Sequence, residues 1–277
     1  MKFCYVILHY RTDEDTVLCV ESIKKTTPDA EIVIVDNASN NGSIERIEAQ
    51  FGEDSQIHII KNDENLGFAS GNNVGYAYAK NTLHADFIAL SNNDIVVDTQ
   101  DFDRRVYEIY ERERFHLLGP DIVSMIDGGH QNPMSASKPD VKKISKEINR
   151  YRMLLVLSKL GVYEIFKPKN KTRTVIKDTE GSSSGIQLHG SFIIFSPDFI
   201  EKEDVAFREG TFLYMEESIL NQYCRNKGYK TYFTPEIRVY HKEDSSTNSM
   251  FDKGKAKREF VFKNMIRSLK VYKDFLT

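Results

Sequence analysis

The stretch "EIVIVDNASNNGS", residues 31–43, joins β-branched apolar residues to an acid and then to a string of turn formers. Ile32 to Val35 read as a short buried strand, and Asp36 stands where that strand stops. Asn37, Ala38, Ser39, Asn40, Asn41 and Gly42 follow, and such residues suit a tight turn. A carboxylate at the end of a buried strand is costly unless it is hydrogen-bonded. In an open α/β sheet, the carboxyl ends of the strands also form the edge where ligands bind. Taken alone, Asp36 reads equally well as an N-cap or Asx-turn and as an acceptor for a ligand at that edge.

The same rhythm continues on both sides. Short apolar runs predict strands at 3–8, 31–36, 57–60 and 86–90. Helical patterns lie between and after them at 14–25 (Val17, Val20 and Ile23 on one face), 43–51, 68–81 and 101–114. The alternation predicts an α/β fold, with a mainly parallel sheet covered by helices on both faces. Right-handed crossovers bring 8–11, 36–39 and 91–94 to one edge. Beyond residue 120 the rhythm breaks. Residues 127–139 read as a loop, and 140–166 as a basic helical insertion containing "MLLVLSKLGVYEIF". "NKTRTVIKDTEGSSSG" is a second loop, and "IQLHGSFIIFS" is strand-like. A helix at 215–227 ending at Gly228, a strand at 230–233 and a basic amphipathic helix at about 253–275 complete the chain. The expected division of one compact domain is 1–120, 121–186, 187–250 and 251–277.

Composition narrows the function classes. Three widely spaced cysteines (Cys4, Cys19, Cys224) fit no zinc or disulfide pattern and suit a reducing cytoplasm. The first strand is too short for a signal-peptide core, and no run reaches the ~20 apolar residues of a spanning helix. The expectation is a protein neither secreted by that route nor integral to a membrane. Net charge is −3, distributed as −12 over 1–137, +8 over 138–178, −5 over 179–252 and +6 over 253–277. Two basic segments on an acidic body suit a local anionic partner and argue against general nucleic-acid binding.

No G-x-G-x-x-G follows "VILHYRT" and no G-x-x-x-x-G-K-[ST] occurs, so dinucleotide-binding and P-loop sites are unsupported. Gly67, Gly71 and Gly75 in "NDENLGFASGNNVGYAYA" fit a helix packed closely on the sheet. Together with Asn65, they also fit close approach of a phosphate or base to the backbone. "FIALSNNDIVV" ends a strand at Asn92, Asn93 and Asp94, which form either a turn or a hard-oxygen cluster for Mg²⁺ or Mn²⁺ on a diphosphate. Glu216 and Glu217 in "YMEESIL" favour a helix start through its dipole, or supply a proton acceptor.

In this order and spacing, "VILHY", "VIVDNASNNGS", "NLGFASGNN" and "LSNNDIVV" resemble the family 2 glycosyltransferases of bacterial polysaccharide assembly. The later "GTFLYMEESILNQYCRNKGYKTYFTPEIRVYHKEDSST" is similar to that family's acidic motif and C-terminal histidine. The resemblance covers roughly 1–120 and 187–247. It implies a GT-A fold, a nucleotide-sugar donor, a divalent cation (Mn²⁺ or Mg²⁺) and transfer with inversion. By the same resemblance Asp36 is the base-reading carboxylate, with Tyr10 beside it, and Asn65 and Gly67 belong to the donor loop. Asp94 is the last residue of the metal-binding D-x-D, here with Asn92 in place of the first Asp and Asn93 between them. His241 closes over the diphosphate or metal, and Gly190 and Ser191 lie beneath the donor sugar. Glu217 is the expected base, with Glu216 beside it to cap or position a loop.

The implied donor is a UDP- or dTDP-sugar. The implied acceptor is a hydroxyl of a glycan or polyprenyl-diphosphate-linked glycan in capsular, cell-wall or exopolysaccharide assembly. The alternatives are a catalytically inactive nucleotide-sugar-binding scaffold and a sugar-phosphate nucleotidyltransferase, whose Gly-rich basic first loop is missing here. The two basic helices pack on the catalytic domain, pair in a homodimer, or bind the anionic inner face of the plasma membrane peripherally.

Overall fold

The computed structural model describes residues 1–134, 139–166, 181–243 and 254–276. Its first half follows the alternation: β1 (Phe3–His9), α1 (Asp13–Thr26), β2 (Glu31–Asp36), α2 (Ser43–Phe51), β3 (Ile57–Lys61), α3 (Gly67–Asn81), β4 (Phe87–Asn92), β5 (Ile95–Val97) and α4 (Phe102–Glu113). The second half comprises β6 (Leu117–Ser124), α5 (Val141–Lys159), α6 (Tyr163–Phe166), β7 (Ser183–Ser184), β8 (Phe192–Phe195), α7 (Pro197–Ile200), α8 (Glu216–Lys227), β9 (Thr231–His241) and a final helix, α9 (Lys255–Leu276). The sheet runs β3-β2-β1-β4-β8-β6-β9-β5, with β7 beside β9.

The β1–β2, β1–β4, β2–β3 and β6–β9 pairings are parallel. Strand β8 enters antiparallel between β4 and β6, and β5 and β7 run antiparallel to β9. Several features depart from the sequence reading. β5, β6, β7 and α7 are not predicted, with β7 lying in a stretch read as loop, and β9 extends well past the expected 230–233. Proline explains two of these: Pro120 and Pro235 interrupt the apolar pattern and cannot donate to a ladder. The β6–β9 register shifts between Pro120 and Asp121, and the ladder then continues to Ser124 opposite His241.

Alternation of side chains across the sheet produces two cores. Phe3, Tyr5, Ile7, Ile32 and Ile34 pack against α1, α2 and α4. Cys4, Val6, Val33, Val35, Ile88 and Leu90 face α3, α7 and α8 on the other side. A third cluster, with Ile144 and Ile148 of α5, Ile219 of α8, and Leu269 and Tyr272 of α9, ties the two basic helices together. Much of the apolar face of α9 is therefore buried within the protein.

Register decides what gathers at one edge. Strands β1, β2 and β4 end there at His9, Asp36 and Asn92. Because β8 is antiparallel, it begins there, with Phe192 opposite Ser91 and the Asn92 amide donating to the Ser191 carbonyl. Ile95 opposite His241 brings Asp94 to the same place, and the Lys242 amide donates to the Asp94 carbonyl. Residues scattered from 9 to 241 thus meet along one rim.

Candidate active site

Two adjoining cavities open on this rim. The first is lined by Leu8, Tyr10, Asn37, Asn65, Gly67, Phe68, Asn92, Asn93, Phe212 and Leu213. The second contains Asn92, Asp94, Gln131, His189, Gly190, Ser191, Tyr214, Glu216, Glu217, His241 and Glu243. Phe68, Asn92 and Leu213 belong to both. The second measures about 480 Å³, within the roughly 300–1,000 Å³ typical of small-ligand sites.

The first cavity is held by an amide network. Asn37 donates to the Asn65 side chain (3.0 Å) and the Gly67 carbonyl (3.2 Å), and accepts from Asn62 and from the Leu66 amide. Asn65 Oδ1 also accepts from the Gly67 amide. Gly67 has φ +81°, and a Cβ there would lie 2.5 Å from the Phe212 carbonyl oxygen, so only glycine lets the loop close on Phe212.

Asp36 behaves differently. It shares a sheet face with the buried Ile32 and Ile34, so its carboxylate turns towards α1 and α2. There it accepts from the Ser39 hydroxyl (2.5 Å) and amide (3.2 Å), and it does not line the first cavity. His9 lies beneath, between Thr16 (2.7 Å) and Ser43 (2.8 Å), and burial pushes its pKa down to about 4. His9 is therefore neutral at physiological pH. The neighbour Asn37, on the other face, is the residue that reaches the cavity. The expected acceptor for a ligand at the edge is the acid at the strand end, but a one-residue step along a strand reverses the face.

The second cavity holds the charged groups. Asp94 and His241 are both buried, with Oδ1 and Nε2 3.2 Å apart. Gln131 Oε1 lies 2.8 Å from His241 Nδ1 and accepts from it, which orients the ring with Nε2 turned to Asp94. Among the described residues no three His, Cys, Asp or Glu side chains converge as a self-contained metal site. The pair nonetheless fits a hard cation that takes the rest of its shell from other oxygens, because two adjacent octahedral donors at about 2.1 Å stand roughly 3 Å apart.

Helix α8 presents the two acids. It begins after two consecutive left-handed residues, Tyr214 (φ 76°) and Met215 (φ 71°). Such backbone costs about 1–3 kcal/mol per residue and collects at functional sites. Glu216 is buried, its Oε1 has no hydrogen-bond partner among the described residues, and desolvation raises its pKa to about 7. Glu217 is also raised by desolvation. Its Oε2 lies 3.7 Å from where a Cβ on Gly190 would sit, so the bare glycine leaves room beside the carboxylate. On the opposite wall the Ser191 amide donates to His189 Nδ1, which leaves Nε2 as the protonated nitrogen.

Of the residues expected from sequence, Tyr10, Asn65, Gly67, Asn92 and Asn93 share the first cavity. Asp94, Gly190, Ser191, Glu216, Glu217 and His241 share the second with Asn92. Although Asn93 touches the first cavity, its amide donates to Thr12 and Thr16. Asn37, Gln131, His189, Phe212 and Glu243 were not anticipated. His189 precedes Gly190 in the "HGS" triplet and Asn37 follows Asp36, so both lie one residue from an expected position.

Comparison with known proteins identifies the family and the fold. The model of glycosyl transferase family 2 matches residues 5–168, more than half of the chain. The low-salt glycan biosynthesis hexosyltransferase Agl10 of Haloferax volcanii is 27% identical over 119 residues, covering 43% of this chain and 36% of that protein. Glycosyltransferase GlyG of Streptococcus pneumoniae is 26% identical over 115 residues, covering 41% and 37%. The match thus spans little more than a third of either relative. Among solved structures, GalNAc-T7 with UDP, GalNAc and Mn²⁺ superposes with a TM-score of 0.60 at 15% identity, covering 89% of this chain and 45% of that one. TarS (1–349) of S. aureus with UDP-GlcNAc gives 0.54 at 13%, covering 91% and 62%. At these identities the likeness establishes the fold, which is GT-A. The chain is a member of glycosyl transferase family 2.

Proposed function

We propose that this chain transfers a sugar, with inversion, from a UDP- or dTDP-sugar to a hydroxyl of a glycan or polyprenyl-diphosphate-linked glycan. The observation that carries this reading is the meeting of Asp94, His241 and Glu217 in one cleft that continues into the cavity of Tyr10, Asn65 and Gly67. The nucleoside occupies that first cavity, with the diphosphate at Asn92–Asp94 and the sugar over Gly190 and Ser191. Asp94 and His241 would hold Mn²⁺ or Mg²⁺, which when bound would supply positive charge to offset that of the departing nucleoside diphosphate. Glu217 accepts the proton of the acceptor hydroxyl as its oxygen attacks the anomeric carbon. Burial strengthens Glu217 as a base by raising its pKa. Glu216 positions the start of α8 beneath it. Such an acceptor puts the reaction at the inner face of the plasma membrane.

Calorimetric titration of the purified protein with UDP-, dTDP- and GDP-sugars, with and without Mn²⁺, tests this reading. Binding of uridine or thymidine donors, strengthened by Mn²⁺ and followed by slow release of the nucleoside diphosphate, is expected. Tighter binding of a GDP-sugar overturns the donor assignment, and absence of binding to all three overturns the enzyme reading.

A further inference from the structure

We propose that the end of the α5–α9 pair is a contact surface for anionic lipid, and that α5 supplies its apolar part. This rests on the proposed lipid-linked acceptor. One face of α5 packs Ile144, Ile148 and Leu154 inside the protein, with the first two joining α9 in one cluster. Its other face is also apolar. Met153, Val156 and Leu160 recur at three and four residues, are 56%, 54% and 70% exposed, and are followed by Ile165 at 76%. Burial accounts for the first face only. Isolated exposed apolar residues are ordinary, but a row along one helical face marks an interaction surface.

The rim indicates the partner. Arg152, Lys159 and Lys255 are exposed around this row, and Lys255 Nζ donates to the Lys159 carbonyl, joining the ends of the two helices. Basic residues outnumber acidic ones by three over 139–166 and by five over 254–276, on a chain whose net charge is −3. An isologous pairing of two copies through this face would set the basic rim against itself. Anionic headgroups complement it instead, each nearby Lys or Arg contributing about 1 kcal/mol. No helix among the described residues is long and apolar enough to cross a bilayer, so the contact is interfacial. The same helix pair reaches the site: Met265 of α9 lines the second cavity, and the Phe260 ring lies 6.1 Å from that of Phe212 in the first.

Vesicle co-sedimentation of the full chain tests this, using phosphatidylcholine vesicles with and without phosphatidylglycerol. Binding is expected only with the anionic lipid, and it weakens as salt rises beyond about 0.15 M. Met153→Ser/Val156→Ser/Leu160→Ser and Arg152→Gln/Lys159→Gln/Lys255→Gln should each lower the partition coefficient about tenfold or more. UDP-sugar binding in solution should stay unchanged in both. Undiminished vesicle binding by both triple variants, or equal binding to neutral vesicles, overturns the proposal. A dimer that the first triple variant dissociates, without vesicle binding by the parent, makes the face a self-association surface and overturns it as well. Vesicle binding without any donor binding instead refutes the proposed function and leaves the surface standing.

Discussion

Glu216 and Glu217 are adjacent in sequence and sit in different surroundings, which gives them separable signatures. Burial lifts the Glu216 pKa from 4.5 to about 7. Between those values the folded protein keeps a proton that the unfolded chain has released, so this group's contribution to stability is lost as pH rises from 4.5 through 7. Glu216→Gln should therefore raise the unfolding free energy at pH 8 by up to about 3 kcal/mol and leave it unchanged near pH 4, as read from urea titrations. An equal effect at both pH values would mean that the gain has nothing to do with ionisation. Asp94→Ala should lower transfer about 10²-fold or more, with EDTA having a similar effect on the parent. Full turnover in EDTA would remove Asp94 and His241 from any metal role. Asp36 gives its carboxylate to Ser39, so Asp36→Ala should weaken UDP, dTDP and GDP alike by loosening the 37–42 turn. Loss confined to UDP and dTDP would restore the direct base contact that its place at the strand end suggests.

At the scale of elements, the glycine series of α3 divides by position. A Cβ on Gly75 would come within 2.2 Å of Val6 Cγ1 and 2.8 Å of Val35 Cγ2, and one on Gly71 within 2.7 Å of Leu8 Cδ1. Gly75 thus seats the helix on the sheet, Gly71 makes room for Leu8 and Asn37 of the first cavity, and Gly67 closes the loop on Phe212. Gly75→Ala should destabilise the fold by about 1–3 kcal/mol through overpacking, seen as a lower urea midpoint. An unchanged midpoint would show that α3 can shift outward freely. The first four strands and their helices were legible because each is a short apolar run between turn formers, with Asp36 and Asn92 marking the strand ends. β6 and most of β9 were not, because Pro120 and Pro235 resemble breaks while the ladder tolerates them at a bulge. The convergence of Asp94 with His241 was suggested by family resemblance and explained only by β5 pairing with the end of β9. Gln131, in a stretch readable only as loop, gave no sign that it would orient His241.

For the molecule as a whole, two parts of the chain share one rim. Residues from β1 to the turn after β4, with Phe212 and Leu213, line the first cavity, and Gly190, Glu217 and His241 join Asp94 in the second. Binding and chemistry should therefore come apart under mutation. Replacing Asn65 in the first part should weaken donor binding, whereas replacing Glu217 in the second should leave it intact. The most direct test is to measure UDP-sugar affinity and turnover in Glu217→Gln, with Glu216→Gln beside it. The account predicts donor affinity within about twofold of the parent and turnover reduced about 10²-fold or more in Glu217→Gln, since only the proton acceptor is removed. Normal turnover in Glu217→Gln, or loss of donor binding in proportion to activity, would contradict it.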